Sequence, residues 1–264
     1  MSYVVLDLET TGLNPQHDAI IEVAAIRVGA GGLATEFTDV VRPHVPVSEG
    51  AFAVNGISTA EAMARGKDPQ DVFGRLHDFI GDLPIVAHNG ISFDFPFLRN
   101  QMTRWGIRIG TNRLLDTKIL VGPYLEIPKG KRKLAALCAR LGITNAQAHH
   151  ALSDTRATVE LFRRIVAKEA DFDALWATCD SLTWHDVGVD PQCYEAVYQS
   201  MDRGTDIQVE YEGKEKPASV RWIKPLRFAK DTAGNFIFIA WCYKDDMEKH
   251  FVVKRIKRVV QVGR

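Results

Sequence analysis

The chain contains little cysteine, and its cysteines lack a metal-binding spacing. Cys138, Cys179, Cys193 and Cys242 are scattered through 264 residues, without a Cys-x-x-Cys pair or a Cys/His cluster. Scattered thiols of this kind are typical of an intracellular protein whose cysteines stay free and mostly buried. The sequence therefore argues against a zinc site.

Long apolar runs and a secretory leader are also missing. No hydrophobic stretch approaches the roughly 18 residues that a membrane span needs. The start Met-Ser-Tyr-Val-Val leads directly into a strand pattern, without a basic region and an apolar region before it. Since 46% of the residues are hydrophobic and 25% are charged, we expect a globular cytoplasmic protein long enough for two domains.

Net charge is absent too, but the charges are unevenly distributed. Residues 1–166 carry 18 basic and 17 acidic side chains, residues 167–206 carry 2 and 9, and residues 207–264 carry 13 and 7. We therefore expect an acidic helical connector over 168–206, between a neutral domain at 1–167 and the basic C-terminal domain. A basic domain attracts phosphates, although an excess of basic side chains more commonly just forms a solvated surface.

Residues 4–12 predict a buried strand that presents two carboxylates on one face. Because side chains alternate between the faces of a strand, Asp7 and Glu9 point the same way. Two neighbouring carboxylates in an apolar strand repel each other and lose hydration, and a divalent cation would relieve both effects. The simpler alternative is a strand end whose acidic side chains reach solvent.

Two further acidic residues begin amphipathic helices. Asp94 and Asp154 each stand at the head of a stripe of inward-facing positions that recur every three or four residues. His149 lies five residues before Asp154, close enough to reach the same pocket. Taken singly, Asp94 could instead be a surface or capping residue, and His149 an ordinary structural histidine.

The order of elements predicts an α/β fold with a mixed sheet flanked by helices. Residues 19–28 and 33–41 predict two strands joined by the glycine-rich residues 29–32, so that the first three strands form an antiparallel meander. Helical patterns follow, with short strands at 83–87 and 113–116. The basic loop 128–133 most simply faces solvent.

Together these residues indicate one kind of chemistry. Four carboxylates, Asp7, Glu9, Asp94 and Asp154, each stand at the end of a buried element. Oxygen-rich sites of this kind suit Mg²⁺ or Mn²⁺. Two such ions activate a water and stabilise the leaving oxygen of a phosphodiester, and His149 has a side chain suited to accept the proton of that water.

Three motifs resemble those of the DEDDh, or DnaQ-like, family of 3′→5′ exonucleases, which includes the bacterial polymerase III proofreading subunit. They are Asp-Leu-Glu-Thr-Thr-Gly, Ala-His-Asn-Gly-Ile-Ser-Phe-Asp-Phe-Pro-Phe-Leu and His-His-Ala-Leu-Ser-Asp-Thr-Arg-Ala-Thr, within residues 1–167. The resemblance implies a ribonuclease-H-like fold, two metal ions on the four carboxylates, and His149 as general base with His150 as its non-catalytic neighbour.

The same resemblance implies contacts with the 3′-terminal nucleotide. The residues implied are Thr10, Thr11, Leu13, Asn55, Asn89 and Phe93. At Asn55 the chain departs from the family, which usually has histidine there. Because aromatic side chains stack on any base, we expect little sequence preference.

The C-terminal residues 207–264 predict five short strands, which fit a small SH3-like β-barrel. This segment resembles the WYL domain of bacterial regulators and of defence or repair proteins, although Phe236-Ile237-Phe238 replaces the triplet that names the family. The resemblance associates Arg221 and Arg255 with ligand or nucleic-acid contact. The alternative is that both only pair with acidic side chains of the barrel.

These observations predict a metal-dependent 3′→5′ exonuclease that prefers single-stranded DNA. One alternative is an exoribonuclease of the same fold that trims RNA, since the motifs set the chemistry and not the sugar. Another is a non-catalytic nucleic-acid-binding or regulatory protein. The expected partners are nucleic acid and possible polymerase, repair or defence complexes, but no membrane.

Overall fold

The computed structural model describes most of the chain as two compact units, Met1–Val187 and Gly188–Arg264. The described residues are 2–108, 110–147, 149–184, 196–197, 199–201, 203–213, 217–230, 236–252 and 255–263. Within these ranges, every helix is too short or too polar to cross a lipid bilayer.

The first unit contains a five-stranded mixed sheet in the order β3-β2-β1-β4-β5. The strands are β1 (Tyr3–Thr10), β2 (Ile20–Val28), β3 (Ala34–Val40), β4 (Ile85–Ala87) and β5 (Leu114–Asp116). Strands β1, β2 and β3 pair antiparallel, whereas β4 runs parallel to both β1 and β5. The predicted mixed sheet, including the antiparallel meander at its start, is therefore confirmed.

Among the described residues of the first unit, eight α-helices flank this sheet. They are α1 (Glu49–Asn55), α2 (Thr59–Arg65), α3 (Pro69–Ile80), α4 (Asp94–Arg104), α5 (Thr117–Leu125), α6 (Leu134–Leu141), α7 (Ala151–Val166) and α8 (Phe172–Thr178). The side chains of Ser48, Ser58 and Asp68 cap the first three helices, as residues of these types do at N-termini. The sequence pattern did not predict α5, because this short helix is largely apolar and contains Pro123.

The two faces of β1 contact different layers. Val4, Leu6 and Leu8 pack against α3 and α4 in one hydrophobic core. Tyr3 and Val5 point the other way and pack against α7 and α8 in a second core. Because side chains alternate along a strand, Asp7 and Glu9 share the face of Tyr3 and Val5 and therefore point toward the α7 side of the sheet.

Residues of the predicted connector 168–206 pack into both units, and the expected domain boundaries stay a prediction. Phe172, Leu175 and Cys179 pack into the core around α7. Trp184 lies edge-on to Phe95 with ring centroids 5.8 Å apart, in the core around α4. In the same segment, Val197 belongs to the core of the second unit. An acidic composition did not reveal these buried contacts, because Asp171, Asp173 and Asp180 are exposed between the buried residues.

The second unit contains a five-stranded antiparallel sheet in the order β10-β6-β7-β8-β9. The strands are β6 (Ile207–Tyr211), β7 (Ser219–Lys230), β8 (Phe236–Cys242), β9 (Met247–Val252) and β10 (Ile256–Val262). The sequence pattern predicts two of its five short strands at 219–223 and 226–228, but the structure has one strand there, β7, with a register shift after Pro225. Strand β10 was not predicted, and the predicted turn 231–234 lies outside the described residues. Closure into an SH3-like barrel stays a prediction.

Candidate functional site

Three acidic side chains meet where β1 faces the start of α7. Asp7, Glu9 and Asp154 each offer one carboxylate oxygen, and these oxygens lie within 4.8 Å of one another. The strand supplies two of them because its alternate residues share a face, and α7 supplies the third in its first turn. The sequence predicted these three residues to share one site, and the structure brings them together.

Asp94 lies at the N-terminus of α4 and is only 2% exposed. Its Oδ1 has no hydrogen-bond partner among the described residues. The N-cap of this helix is Phe93, whose side chain makes no capping hydrogen bond. Asp94 is not one of the three carboxylates that meet within 4.8 Å. It lies close enough for its charge to raise the pKa of both Asp7 and Glu9.

Burial and mutual repulsion oppose ionisation of these carboxylates. Burial, followed by the charge of Asp94, raises the pKa of Asp7 well above its usual range. Burial and then the charge of Glu22 raise the pKa of Glu9 to about 8. Burial also raises the pKa of Asp94 to about 8, although backbone N–H groups favour its ionised form. When these carboxylates are ionised, the surrounding residues therefore do not neutralise their negative charge.

This donor set fits a hard divalent cation. All ligand atoms in the cluster are carboxylate oxygens, which Mg²⁺ and Mn²⁺ prefer over nitrogen or sulfur. A bound cation would give the buried, unpartnered Oδ1 of Asp94 a partner. Its positive charge would also favour the ionised form of the carboxylates whose pKa is raised. By contrast, the three described cysteines are free and buried, as predicted, and none of them belongs to the cluster.

The loop before α7 holds Asp154 through both of its oxygens. Asn145 Nδ2 donates to Oδ1 at 2.6 Å, and the His149 N–H donates to Oδ2 at 3.0 Å. Ser153 Oγ in turn donates to Asn145 Oδ1 at 2.7 Å. Asn145 could not be predicted from the sequence, since a single amide in an irregular loop gives no periodic signal.

His149 has an exposed side chain and a left-handed backbone, with φ of 66°. This conformation is uncommon outside glycine, and it turns the His149 N–H toward Asp154. His150 is the N-cap of α7 and lines a cleft of about 210 Å³ together with Glu22, Asn55 and other residues. Both histidines thus lie at the start of α7, and the chemical role of His149 stays a prediction.

A fifth carboxylate, Glu22, adjoins the cluster. It lies opposite Glu9 in the pairing of β1 with β2, and its Oε2 accepts the N–H of Ala151 at 3.2 Å. Glu22 therefore connects β2 to the first turn of α7, where the dipole of the helix favours a negative charge. The sequence held a signal for it, namely one acidic residue in the apolar run of β2.

An apolar cleft of about 430 Å³ opens beside the carboxylates and includes Glu9 in its wall. Leu13 and Val54, which are 57% and 55% exposed, contribute apolar surface to it. Of the six predicted nucleotide contacts, the structure places Thr10, Leu13, Asn55 and Phe93 in the lining of this cleft and does not place Thr11 and Asn89 there. Contact with a nucleotide stays a prediction for all six.

Thr11 is fully buried and supports the loop that carries Leu13. Its Oγ1 accepts the N–H of Ala19 at 2.8 Å and donates to Asp18 Oδ1 at 3.4 Å. The other oxygen of Asp18 accepts the N–H of Asn14 at 2.8 Å. These bonds fix the loop between β1 and β2 at the rim of the cleft.

The two predicted asparagines use their side chains within the protein. Asn55 Nδ2 donates to the carbonyl of Thr10 at 3.2 Å, and its Oδ1 accepts the N–H of Ile57 at 3.0 Å. Asn89 Oδ1 accepts from Lys118 Nζ at 2.9 Å. Asn55 thus anchors α1 to the end of β1, and Asn89 belongs to a neighbouring loop.

In the second unit, Arg221 contacts other residues of the same sheet. Its Nη1 lies 3.7 Å from Asp245 Oδ2, and its guanidinium lies 5.9 Å from the centre of the Tyr211 ring. This agrees with the alternative in which it pairs with an acidic side chain. The backbone carbonyl of Arg255 accepts the N–H of Glu212 at 3.0 Å. A ligand contact at Arg221 or Arg255 stays a prediction.

The fold and the site define an α/β protein with an oxygen-rich acidic centre beside an apolar cleft. A family model described as "Exonuclease", RNase_T, matches residues 4–162. The chain therefore belongs to this exonuclease family.

Sequence relatives include DNA polymerase III PolC-type proteins. The one from Bacillus cereus is 31% identical over 175 residues, which are 65% of this chain and 12% of the relative. Those from Halalkalibacterium halodurans and Staphylococcus aureus are 33% identical over 66% of this chain and 12% of theirs. The chain thus spans about an eighth of the length of these relatives.

Solved structures with a similar fold include exonuclease I of E. coli. Its complex with a dT13 oligonucleotide has a TM-score of 0.58 and 20% identity, and the match covers 90% of this chain and 55% of that one. A zinc-bound complex with single-stranded DNA has a TM-score of 0.60 and 19% identity over 90% and 54% of the two chains. At this identity the likeness concerns the fold.

Proposed function

We propose that this chain is a metal-dependent 3′→5′ exonuclease that prefers single-stranded DNA. The observation that carries this proposal is the position of Glu9, which belongs to both the carboxylate cluster and the wall of the apolar cleft. A terminal base in the cleft would put the adjoining phosphodiester next to the carboxylates. Membership of the exonuclease family supports the same reaction.

In this proposal Asp7, Glu9, Asp94 and Asp154 hold two divalent cations, Mg²⁺ or Mn²⁺. Bound cations would lower the pKa of a water and stabilise the leaving oxygen in an in-line displacement. Asn145 and the backbone of His149 keep Asp154 in place through its two oxygens. Such supporting contacts typically affect metal affinity or activity about 10–100-fold.

His149 is the proposed general base. Its backbone is tied to Asp154, which keeps the residue at the edge of the site, and its exposed imidazole is free of the core packing that would restrict its rotation. A base in this position accepts the proton of the attacking water and typically contributes about 10²–10⁴ in rate.

The cleft would accept the terminal nucleotide. Leu13, Val54 and Phe93 offer apolar and aromatic surface that contacts a base without reading its hydrogen-bonding edge, so little sequence preference is expected. Single-stranded DNA is proposed first because the exonuclease I structures of similar fold hold single-stranded oligonucleotides. A cytoplasmic location, a WYL-type second domain and association with a polymerase, repair or defence complex stay predictions.

Digestion of 5′-labelled single strands tests the proposal. DNA and RNA of one sequence are incubated with Mg²⁺, Mn²⁺ or EDTA, using the wild type, Asp7→Asn and the exposed control Asp78→Asn. We expect a ladder that shortens from the 3′ end on DNA, and its loss with EDTA and with Asp7→Asn only. In the same assay His149→Ala should lose at least about 100-fold in rate, whereas His150→Ala should not.

A faster ladder on RNA would replace DNA by RNA as substrate. If neither strand shortens with either metal although both bind, the catalytic proposal fails and the nucleic-acid-binding alternative takes its place.

A further inference from the structure

The loop between α5 and α6 forms a basic concavity with the outer face of α6. This basic cleft has a volume of about 290 Å³ and is lined by Gly130, Lys131, Lys133, Ala136 and Arg140. The sequence predicted only a solvent-facing loop here. The structure adds that its lysines and an arginine from the following helix surround one depression.

The basic cleft concentrates positive charge that other side chains do not neutralise. Its lining contains three cationic side chains and no acidic one. All three are exposed, and none takes part in an ion pair within the described part of the chain. A concave surface with like charges attracts anions more strongly than the same charges spread over a convex surface.

The loop is held in one conformation by Arg132, which turns inward. Its Nε donates to the carbonyl of Ile127 at 2.8 Å and its Nη1 to the carbonyl of Lys118 at 3.3 Å. The Arg132 carbonyl lies 2.9 Å from His88 Nε2, and burial lowers the pKa of His88 to about 4, so that this imidazole is neutral. Lys131 and Lys133 on either side of Arg132 therefore stay at the surface.

The basic cleft adjoins the proposed active site through two elements. Lys118, whose carbonyl binds Arg132, reaches Asn89 with its ammonium group, and Asn89 directly follows His88. The inner face of α6 packs Cys138 into the core that also contains Ala157 and Leu161 of α7, the helix whose first turn carries Asp154. The width of one helix, about 10 Å, separates that face from the basic cleft.

We propose that the basic cleft binds backbone phosphates of the single-stranded DNA substrate, more than one nucleotide away from the 3′ end. This inference rests on the proposed function and adds a second contact to it. Lysines act on phosphates as point charges, so the contact is independent of sequence and weakens with salt. It would hold a long strand between successive cleavages and leave the chemistry of each cleavage unchanged.

The test compares two double variants that each remove two exposed positive charges. Lys131→Gln/Lys133→Gln alters the basic cleft. Arg108→Gln/Lys168→Gln is the matched control, since both residues are exposed and lie beyond the far ends of α4 and α7, whose first turns carry Asp94 and Asp154. Each variant is assayed on an oligonucleotide of about 20 nucleotides and on a dinucleotide.

We expect the cleft variant to raise KM for the long strand several-fold and to leave kcat/KM for the dinucleotide within about twofold of wild type. The slope of log affinity against log salt, measured by fluorescence anisotropy in EDTA between about 50 and 200 mM salt, should fall by about 1.4 for two lost phosphate contacts. The control variant should change neither quantity.

Equal effects of the two double variants, or equal effects on long and short substrates, would overturn the proposal. The anisotropy measurement needs no turnover, so it decides whether the basic cleft binds DNA even if the chain proves inactive as an exonuclease.

Discussion

At the scale of single residues, the acidic centre places ionisable groups where ionisation is unfavourable. Glu9 and Asp94 both have a pKa of about 8, chiefly because they are buried. Such groups stay protonated in the folded protein at pH values where the unfolded chain has already released their protons. The folded state without metal therefore binds more protons than the unfolded state.

This difference makes the stability of the metal-free protein depend on pH. Because stability falls with rising pH wherever the folded state binds more protons, the melting temperature in EDTA should drop between pH 6.5 and 8.5, by about 5 °C or more. The neutral His88 opposes this drop only near pH 6.5, because an unfolded histidine has released most of its protons above that pH while the folded one, with a pKa of about 4, holds none. Thermal unfolding monitored by circular dichroism gives the measurement.

Mn²⁺ should remove most of that drop, whereas Asp94→Asn should remove only part of it, because Glu9 stays buried and keeps a raised pKa. Asp78→Asn, an exposed control with a side chain that is 86% accessible, should leave the drop unchanged. A melting temperature in EDTA that is constant or rises over this range would contradict the argument.

Residue types and spacing were enough to predict the carboxylates of the site. Asp7 and Glu9 share a strand face, and Asp154 heads an amphipathic helix, so local periodicity identified all three. Glu22 was missed because its partner Ala151 is distant in sequence, and Asn145 because it lies in an irregular loop, although its partner Asp154 is near in sequence. Such pairings depend on how the elements pack, which a periodic pattern does not contain.

At the scale of elements, the loop between β1 and β2 depends on one close approach. Gly12 lies against the Asp18 carboxylate, and a Cβ at this position would come within 2.7 Å of Oδ1. The same carboxylate accepts the Asn14 N–H and holds Thr11. The rim of the cleft therefore requires a residue without a side chain at position 12.

Gly12→Ala should displace Asp18 and loosen the loop, at a cost of about 1–3 kcal/mol in the free energy of unfolding. We also expect a higher KM, because Leu13 would lose its fixed place in the cleft. Gly50→Ala is the matched control in the same cleft: its Cβ meets no atom within 4 Å, and alanine within α1 should stabilise by about 0.5–1 kcal/mol. Urea unfolding of both variants measures these energies.

If Gly12→Ala proved as stable as the wild type, with the same KM, the close approach to Asp18 would not matter.

Most elements were predictable from local signals, and the exceptions have local causes. Serine and aspartate caps mark the starts of α1, α2 and α3. Helix α5 was missed because Asp116, the last residue of β5, is also its N-cap, so that no loop separates the two elements. In β7, Pro225 made one long strand look like two.

At the scale of the whole molecule, the first unit extends beyond its three motifs. The family model ends at residue 162, whereas Phe172, Leu175, Cys179 and Trp184 are all at most 2% exposed. Trp184 also donates its Nε1–H to Asn112 Oδ1 at 3.0 Å. These residues complete both cores of the unit.

A fragment of residues 1–187 should therefore fold, whereas one of residues 1–167 should not. Each buried apolar side chain that is lost removes about 1.5–3 kcal/mol, and several such losses together approach the whole stability of a typical domain. Circular dichroism and thermal unfolding of the two purified fragments make the comparison. Equal melting temperatures would show that the segment after residue 167 adds nothing to the first unit.

The central position of β1 in its sheet has a consequence for hydrogen exchange. This strand pairs with β2 along its length and with β4 at Val4 and Val5, so its hydrogen-bonded amide protons exchange with solvent only when the sheet itself opens. Asp7 and Glu9 lie further along the same strand and pair with β2, while His149 lies in an exposed loop. Heating should therefore separate the carboxylates of β1 only when the sheet itself unfolds. Local unfolding of the loop that contains His149 should leave Asp7 and Glu9 in place.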